Sequence, residues 1–207
     1  MDRVTVPIPG RSYEVTVGVD VVEGAGAILP DLGHAARAFV VVDAAVADPW
    51  LGRVTGALET RSLHVVPLTV PSGEAAKTMD VYGTLLHQLA SQEAHRDDIV
   101  VALGGGTVGD LAGFVASTYM RGLDVVQVPT TLIGQVDAAI GGKTAVNLPE
   151  GKNLVGTFHQ PLAVLCDVGA LATLPVRDFR SGLAETLGTS TNRTRATAIG
   201  HGGAGGG

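Results

Sequence analysis

The densest group of chemistry-bearing positions is Ala102-Leu103-Gly104-Gly105-Gly106-Thr107-Val108-Gly109-Asp110. An apolar run, Ile99–Leu103, ends in three glycines and gives way to a helical pattern over about 108–119. Glycines in that place let main-chain N–H groups approach an anion with no side chain between, and the positive end of the following helix adds attraction. The spacing is neither GxGxxG at a first strand nor a loop closed by Gly-Lys-Ser/Thr. From the residues alone it is either a phosphate cradle or a tight structural turn.

Other polar residues fall where a ligand would need them, each with an ordinary explanation beside it. Asp43 ends the apolar run Ala38–Val42. A carboxylate there accepts from a ribose diol and repels a 2′-phosphate, which favours NAD over NADP; a cap or turn residue fits equally. Thr130 and Thr131 follow Leu123–Val128 and place two hydroxyls where parallel sheets put ligands, or serve loop hydrogen bonding. Ser72 precedes a helix predicted over 74–92 and can cap it. Glu74 and Lys77 share a face of that helix, as nucleotide contacts or as a surface ion pair.

A second group lies in the glycine-rich stretch 134–156: Asp137, Lys143, Lys152 and Asn153. Of 14 lysines and arginines, Arg121, Lys143 and Lys152 stand in apolar or glycine-rich loops, an arrangement suited to a phosphorylated, carboxylated substrate. Solvated loop lysines are the plainer reading. Metal signals are thin. The six histidines make no HxH or HExxH spacing, and Glu185 offers one oxygen where zinc needs three or more protein ligands. Cys166 is the only cysteine and lies in the apolar run 163–166, which excludes a disulfide within the chain and predicts a buried thiol.

The elements that must hold these residues read as an α/β pattern. Strands are predicted at 4–8 and 13–17 around Pro9-Gly10-Arg11, then at 38–43, 63–68, 99–103, 123–128 and 163–166. Helices are predicted at 24–36, 50–60, 74–92, 108–119 and from 178, with Met79, Tyr82, Leu86 and Leu89 as the apolar stripe of the third. Residues 141–151 read as a mobile glycine segment and 171–174 as a short turn. Apolar strands alternating with helices predict a parallel sheet covered on both faces. The 207 residues are 45% hydrophobic, enough for one large core, and the formal charge of −6 gives no general attraction to nucleic acid or anionic membrane. No secretory leader and no 18-residue apolar span is read, so a cytoplasmic protein is expected.

The ordered series Pro71-Ser72-Gly73-Glu74-Ala75-Ala76-Lys77-Thr78, Leu103–Asp110, Tyr119-Met120-Arg121-Gly122, Gln127–Leu132, Gln135-Val136-Asp137, Gly141-Gly142-Lys143-Thr144, Gly151-Lys152-Asn153, Phe158-His159-Gln160-Pro161, Leu174–Arg177 and Gly182-Leu183-Ala184-Glu185 resembles the 3-dehydroquinate synthase family of sugar-phosphate cyclases. The resemblance covers about residues 1–187. It implies a Rossmann-like parallel-sheet nucleotide-binding domain, with NAD and a divalent metal (zinc or cobalt) as cofactors and a phosphorylated keto acid as substrate. It also implies the conversion of 3-deoxy-D-arabino-heptulosonate 7-phosphate to 3-dehydroquinate and phosphate, by transient oxidation, elimination, reduction and ring closure.

By the same resemblance Asp43, Ser72, Glu74, Lys77, Gly105, Gly106, Asp110, Thr130 and Thr131 would contact NAD, together with Asp137, Lys143 and Lys152. Lys143, Lys152 and Asn153 would serve catalysis, Arg121 would reach a phosphate across a homodimer interface, and Glu185 would be the first metal ligand. The family's C-terminal helical domain, with its histidine ligands, is absent from these residues. Gly188 stands where the family has a lysine, His201 lies in a glycine-rich tail, and the change near 187–189 resembles a frameshift or truncation. The expectation is therefore an NAD-binding domain over 1–187, a disordered tail over 188–207, and weak or no cyclase activity. The alternatives are another sugar-phosphate cyclase, an iron-type alcohol or glycerol dehydrogenase, and an inactive nucleotide-binding remnant.

Overall fold

The computed structural model describes residues 1–10 and 12–184; Glu185 and the expected tail over 188–207 lie outside them. Nine strands are described: β1 (Asp2–Val6), β2 (Tyr13–Gly18), β3 (Arg37–Asp43), β4 (His64–Val70), β5 (Ile99–Gly104), β6 (Asp124–Pro129), β7 (Lys143–Leu148), β8 (Gly151–Phe158) and β9 (Ala163–Asp167). Seven form one sheet in the order β1-β2-β9-β6-β5-β3-β4, parallel except for the antiparallel edge pair β1–β2. The chain leaves β3 for β4 on one side and then returns to place β5 on the other. The carboxyl ends of β3 and β5 therefore flank a topological switch point, where open α/β sheets bind ligands.

The β3 sequence shows why the sheet is covered twice. Val40 and Val42 point to one face and meet Trp50, Val54 and Leu58 of α2 (Ala47–Glu59). Phe39 and Val41 point to the other, in one core with Leu85 and Leu89 of α3 (Met79–Ser91) and Leu111 and Val115 of α4 (Gly106–Thr118). A continuous apolar strand is what burial on both faces requires.

Several elements differ from the sequence expectations. The helix predicted at 24–36 is one turn, α1 (Ala25–Ile28), because Leu29 precedes Pro30 and is extended at φ −60°, ψ 140°. The 74–92 helix divides into a 3-10 turn at Gly73–Ala76 and α3, with Thr78 rather than Ser72 capping α3 through Val81 N–H at 3.3 Å. In α3 the buried centre is Leu85 and Leu89, while Met79 is exposed. The segment read as mobile glycine is instead the antiparallel pair β7–β8. Gly141 and Gly142 enter it at φ +91° and +68°, a bend that side chains resist. Residues 168–173 form a 3-10 turn, and a fifth helix, α5, runs over 176–184.

Candidate functional site

The switch point collects four segments. Asp43 ends β3 beside Gly104, with its Cβ 3.1 Å from where a glycine-104 side chain would begin. Asp43 Oδ1 accepts from Ser72 Oγ–H at 2.5 Å and from Ala45 N–H at 2.9 Å, and Oδ2 has no partner among the described residues. Ser72 thus orients a carboxylate instead of capping a helix.

The glycine loop and the threonine turn lie side by side, since Thr130 N–H donates to Gly104 O at 2.8 Å. A Cβ on Gly105 would lie 3.1 Å from Thr131 Cγ2, and one on Gly106 would lie 2.8 Å from Ala138 Cβ. Gly105 is the N-cap of α4 and no side chain caps it, so the first N–H groups of that helix remain available to an anion. The Thr130 hydroxyl is buried and has no hydrogen-bond partner among the described residues. An orphaned hydroxyl beside an uncapped helix start and a close-packed glycine cradle suits a diphosphate.

Two ion pairs flank the cradle. Lys77, only 4% exposed, pairs through Nζ with Asp110 Oδ2 in α4. Burial pushes the Asp110 carboxyl above its ordinary range, and the Lys77 ammonium opposes that rise. Glu74 accepts from Asn147 Nδ2 at 2.8 Å and lies 3.4 Å from Lys152 Nζ. The Asn147 hydrogen bond, assisted by Lys152, holds the Glu74 carboxyl below its ordinary range against partial desolvation.

Beyond Asp110 opens a cleft of about 410 Å³ lined among others by Asp110, Asp137, Lys143, Asn153, Leu154 and Phe158. Asp137 is carried there by one turn of π-helix, Gly134–Ala138. Within that turn Gln135 Nε2 donates to Pro129 O at 3.1 Å and to Asp167 O at 2.8 Å. The β6–β9 ladder ends at Gln127–Val164, so this amide spans strands that have begun to part.

The structure therefore brings Asp43, Ser72, Gly105, Gly106, Thr130 and Thr131 to one edge, with Lys77 and Asp110 beside them. Asp137, Lys143 and Asn153 face the adjoining cleft, and Lys152 stands on Glu74. Arg121 is not among them. It follows the far end of α4 at φ +72°, and a helix of that length is about 20 Å long. Glu185 lies outside the described residues, among which no group of three His, Cys, Asp or Glu is placed to hold a metal. Asn147 and Gln135 were not legible as site residues. Asn147 had one sequence signal, its place between two glycine-lysine pairs, but no partner was readable from it.

The switch point, the glycine loop and the doubly covered sheet define a Rossmann-like α/β domain. Residues 67–181 match the model of the 3-dehydroquinate synthase N-terminal family, and the chain belongs to that family. The 3-dehydroquinate synthase of Koribacter versatilis (strain Ellin345) is 50% identical over 188 residues, 90% of this chain and 51% of that protein. That of Rhodopseudomonas palustris (strain BisB18) is 45% identical over 182 residues, 88% of this chain and 48% of that protein. The chain spans about half the length of the curated relatives it matches. Among solved structures, a 2-deoxy-scyllo-inosose synthase complexed with carbaglucose-6-phosphate, NAD+ and Co2+ superposes at TM-score 0.83 with 28% identity, over 90% of this chain and 51% of that one. The 2-epi-5-epi-valiolone synthase of Streptomyces hygroscopicus subsp. jinggangensis 5008, with NAD+ and Zn2+ bound, superposes at 0.73 with 34% identity, over 87% of this chain and 49% of that one. An iron-containing alcohol dehydrogenase, 21% identical at TM-score 0.70, shares the fold.

Proposed function

We propose that this chain supplies the NAD-binding part of a 3-dehydroquinate synthase, the enzyme that turns 3-deoxy-D-arabino-heptulosonate 7-phosphate into 3-dehydroquinate and phosphate. The observation that carries it is the cradle at the switch point: an uncapped helix start, close-packed glycines with a Cβ clash at Gly106, and the orphaned Thr130 hydroxyl. Identities of 45–50% to enzymes named 3-dehydroquinate synthase, against 28–34% to the two other cyclases, support this substrate over theirs.

The residues divide the work by position. Main-chain N–H groups at Gly105 and Gly106 receive the diphosphate, with Thr130 and Thr131 beside it. The free Asp43 oxygen accepts from a ribose hydroxyl and repels a 2′-phosphate. NAD, when bound, supplies a reversible hydride acceptor, so no net redox change is needed. Asp110, Asp137, Lys143 and Asn153 border the cleft where an anionic substrate sits against it, Lys152 stands beside it on Glu74, and the two ammonium groups offset the substrate's charge. Arg121, beyond the far end of α4 from the glycine loop, serves the cleft of a partner subunit in a cytoplasmic homodimer. The described residues do not fit a zinc or cobalt site, so the metal needs ligands from beyond them.

Calorimetric titration with NAD and NADP tests the reading. NAD binds and NADP binds more weakly. Gly106→Ala, whose new Cβ would meet Ala138 at 2.8 Å, loses about tenfold in NAD affinity, the equivalent of about one main-chain hydrogen bond. A folded chain that gives no heat with saturating NAD overturns it.

A further inference from the structure

The β7–β8 pair crosses α4 and its tip meets the Glu74–Lys77 turn, a contact made chiefly by one residue, through its main chain and its side chain. Asn147 N–H donates to Lys77 O at 2.9 Å, and Asn147 Nδ2 donates to Glu74 Oε2 at 2.8 Å. Asn147 Oδ1 accepts from Asn153 N–H at 2.9 Å. The β7–β8 register shifts between Val146 and Leu148, which takes Asn147 out of the ladder and turns it toward the neighbouring segment, where it bridges to Thr78. Asn153 sits at φ +59°, a conformation that needs outside support in a residue with a Cβ. The amide has one workable orientation. Flipped, its oxygen would face the Glu74 carboxylate and its NH₂ would face the Asn153 N–H.

We propose that Asn147 is a positioning residue that fixes the hairpin tip, with Lys152 and Asn153, against the Glu74–Lys77 turn, so that hairpin and turn form one unit. Neither shorter nor charged side chains can do this. Alanine loses both bonds, while aspartate keeps the acceptor for Asn153 but sets a carboxylate against Glu74. The consequence for cofactor and substrate rests on the NAD reading above; the positioning itself does not.

Amide hydrogen exchange by NMR on the full 207-residue chain, without ligand, reads it directly. In Asn147→Ala the Asn153 amide exchanges at least about tenfold faster than in the parent, while β5 amides keep their rates, the mark of local opening. In Asn147→Asp the Asn153 amide stays close to the parental rate. Equal Asn153 rates in the parent and Asn147→Ala overturn the proposal, and so does an acceleration shared by β5, which would make Asn147 merely a stability residue. An NAD titration of the same samples separates the two claims. A parent that binds no NAD defeats the functional reading and leaves the exchange result to stand. A parent that binds NAD with an affinity unchanged in both variants defeats the claim that the junction positions the Glu74–Lys77 turn for NAD.

Discussion

Glu74 carries the clearest pH signature among the site residues. Its carboxylate accepts from Asn147 and faces Lys152, so its folded pKa lies below the unfolded value. A group with a depressed folded pKa contributes stability that is present above the unfolded value and is lost as pH falls through the folded one. Glu74→Gln removes that dependence. Its urea midpoint is expected to fall less than the parent's on acidification from about pH 5 to pH 3, the range in which glutamates titrate. An acid limb as steep in the variant as in the parent would show that the Asn147 and Lys152 contacts do not bias the carboxylate. Of these partners only Glu74 and Lys152 stood out in the sequence, Glu74 beside Lys77 and Lys152 within the glycine-rich stretch, whereas in the fold Lys77 pairs with Asp110 and Glu74 with Lys152. Their meeting depends on a strand pair whose register no local pattern announces. Ser72 makes the same point. Its place before a helix pattern reads as a cap, whereas β3 and β4 run side by side and bring its hydroxyl onto Asp43.

Helix α4 joins the cradle to the core. Its first residue is Gly106, and Leu111, Ala112, Val115 and Ala116 are fully buried within five residues of Asp110 or little further along. Leu111→Ala is expected to cost about 2–5 kcal/mol, the range for a buried leucine cut to its Cβ where neighbours cannot close the gap. Chemical denaturation would detect it, and a loss below about 1 kcal/mol would mean that the sheet face around β5 is looser than its packing indicates. The strands β3, β5, β6 and β9 were legible because double burial leaves uninterrupted apolar runs. The β7–β8 pair was not. Its glycines read as flexibility, and the glycine that lets it lie against α4 belongs to the helix: a Cβ on Gly113 would come within 2.5 Å of Thr144 Cγ2. Helix 24–36 failed for a local reason, the extended Leu29 before Pro30.

Taken as a unit, the described chain carries a cleft with an apolar rim. Phe158 is 83% exposed and Leu154 59% exposed at its rim, and Val176, Phe179 and Leu183 are exposed on α5. The metal ligands of the family are not assembled among the described residues. The 207-residue chain alone is therefore expected to bind NAD yet release no phosphate from 3-deoxy-D-arabino-heptulosonate 7-phosphate above the uncatalysed rate. A colorimetric phosphate assay checks this, and sustained turnover would show that the site is completed in some other way. By itself the sequence determined the α/β class, the double coverage of the sheet, the glycine turn after its strand and the family, because each is written in contiguous runs or ordered motifs. Only the tertiary structure decided that Asp43 is oriented by Ser72, that the Thr130 hydroxyl is left unpaired among the described residues, that Arg121 stands past the far end of α4 from the glycine loop, and that Asn147 ties the hairpin to Glu74. Those facts arise from strand order and register between segments up to 73 residues apart, as Asn147 and Glu74 are, and separation of that kind leaves no periodic trace along the chain.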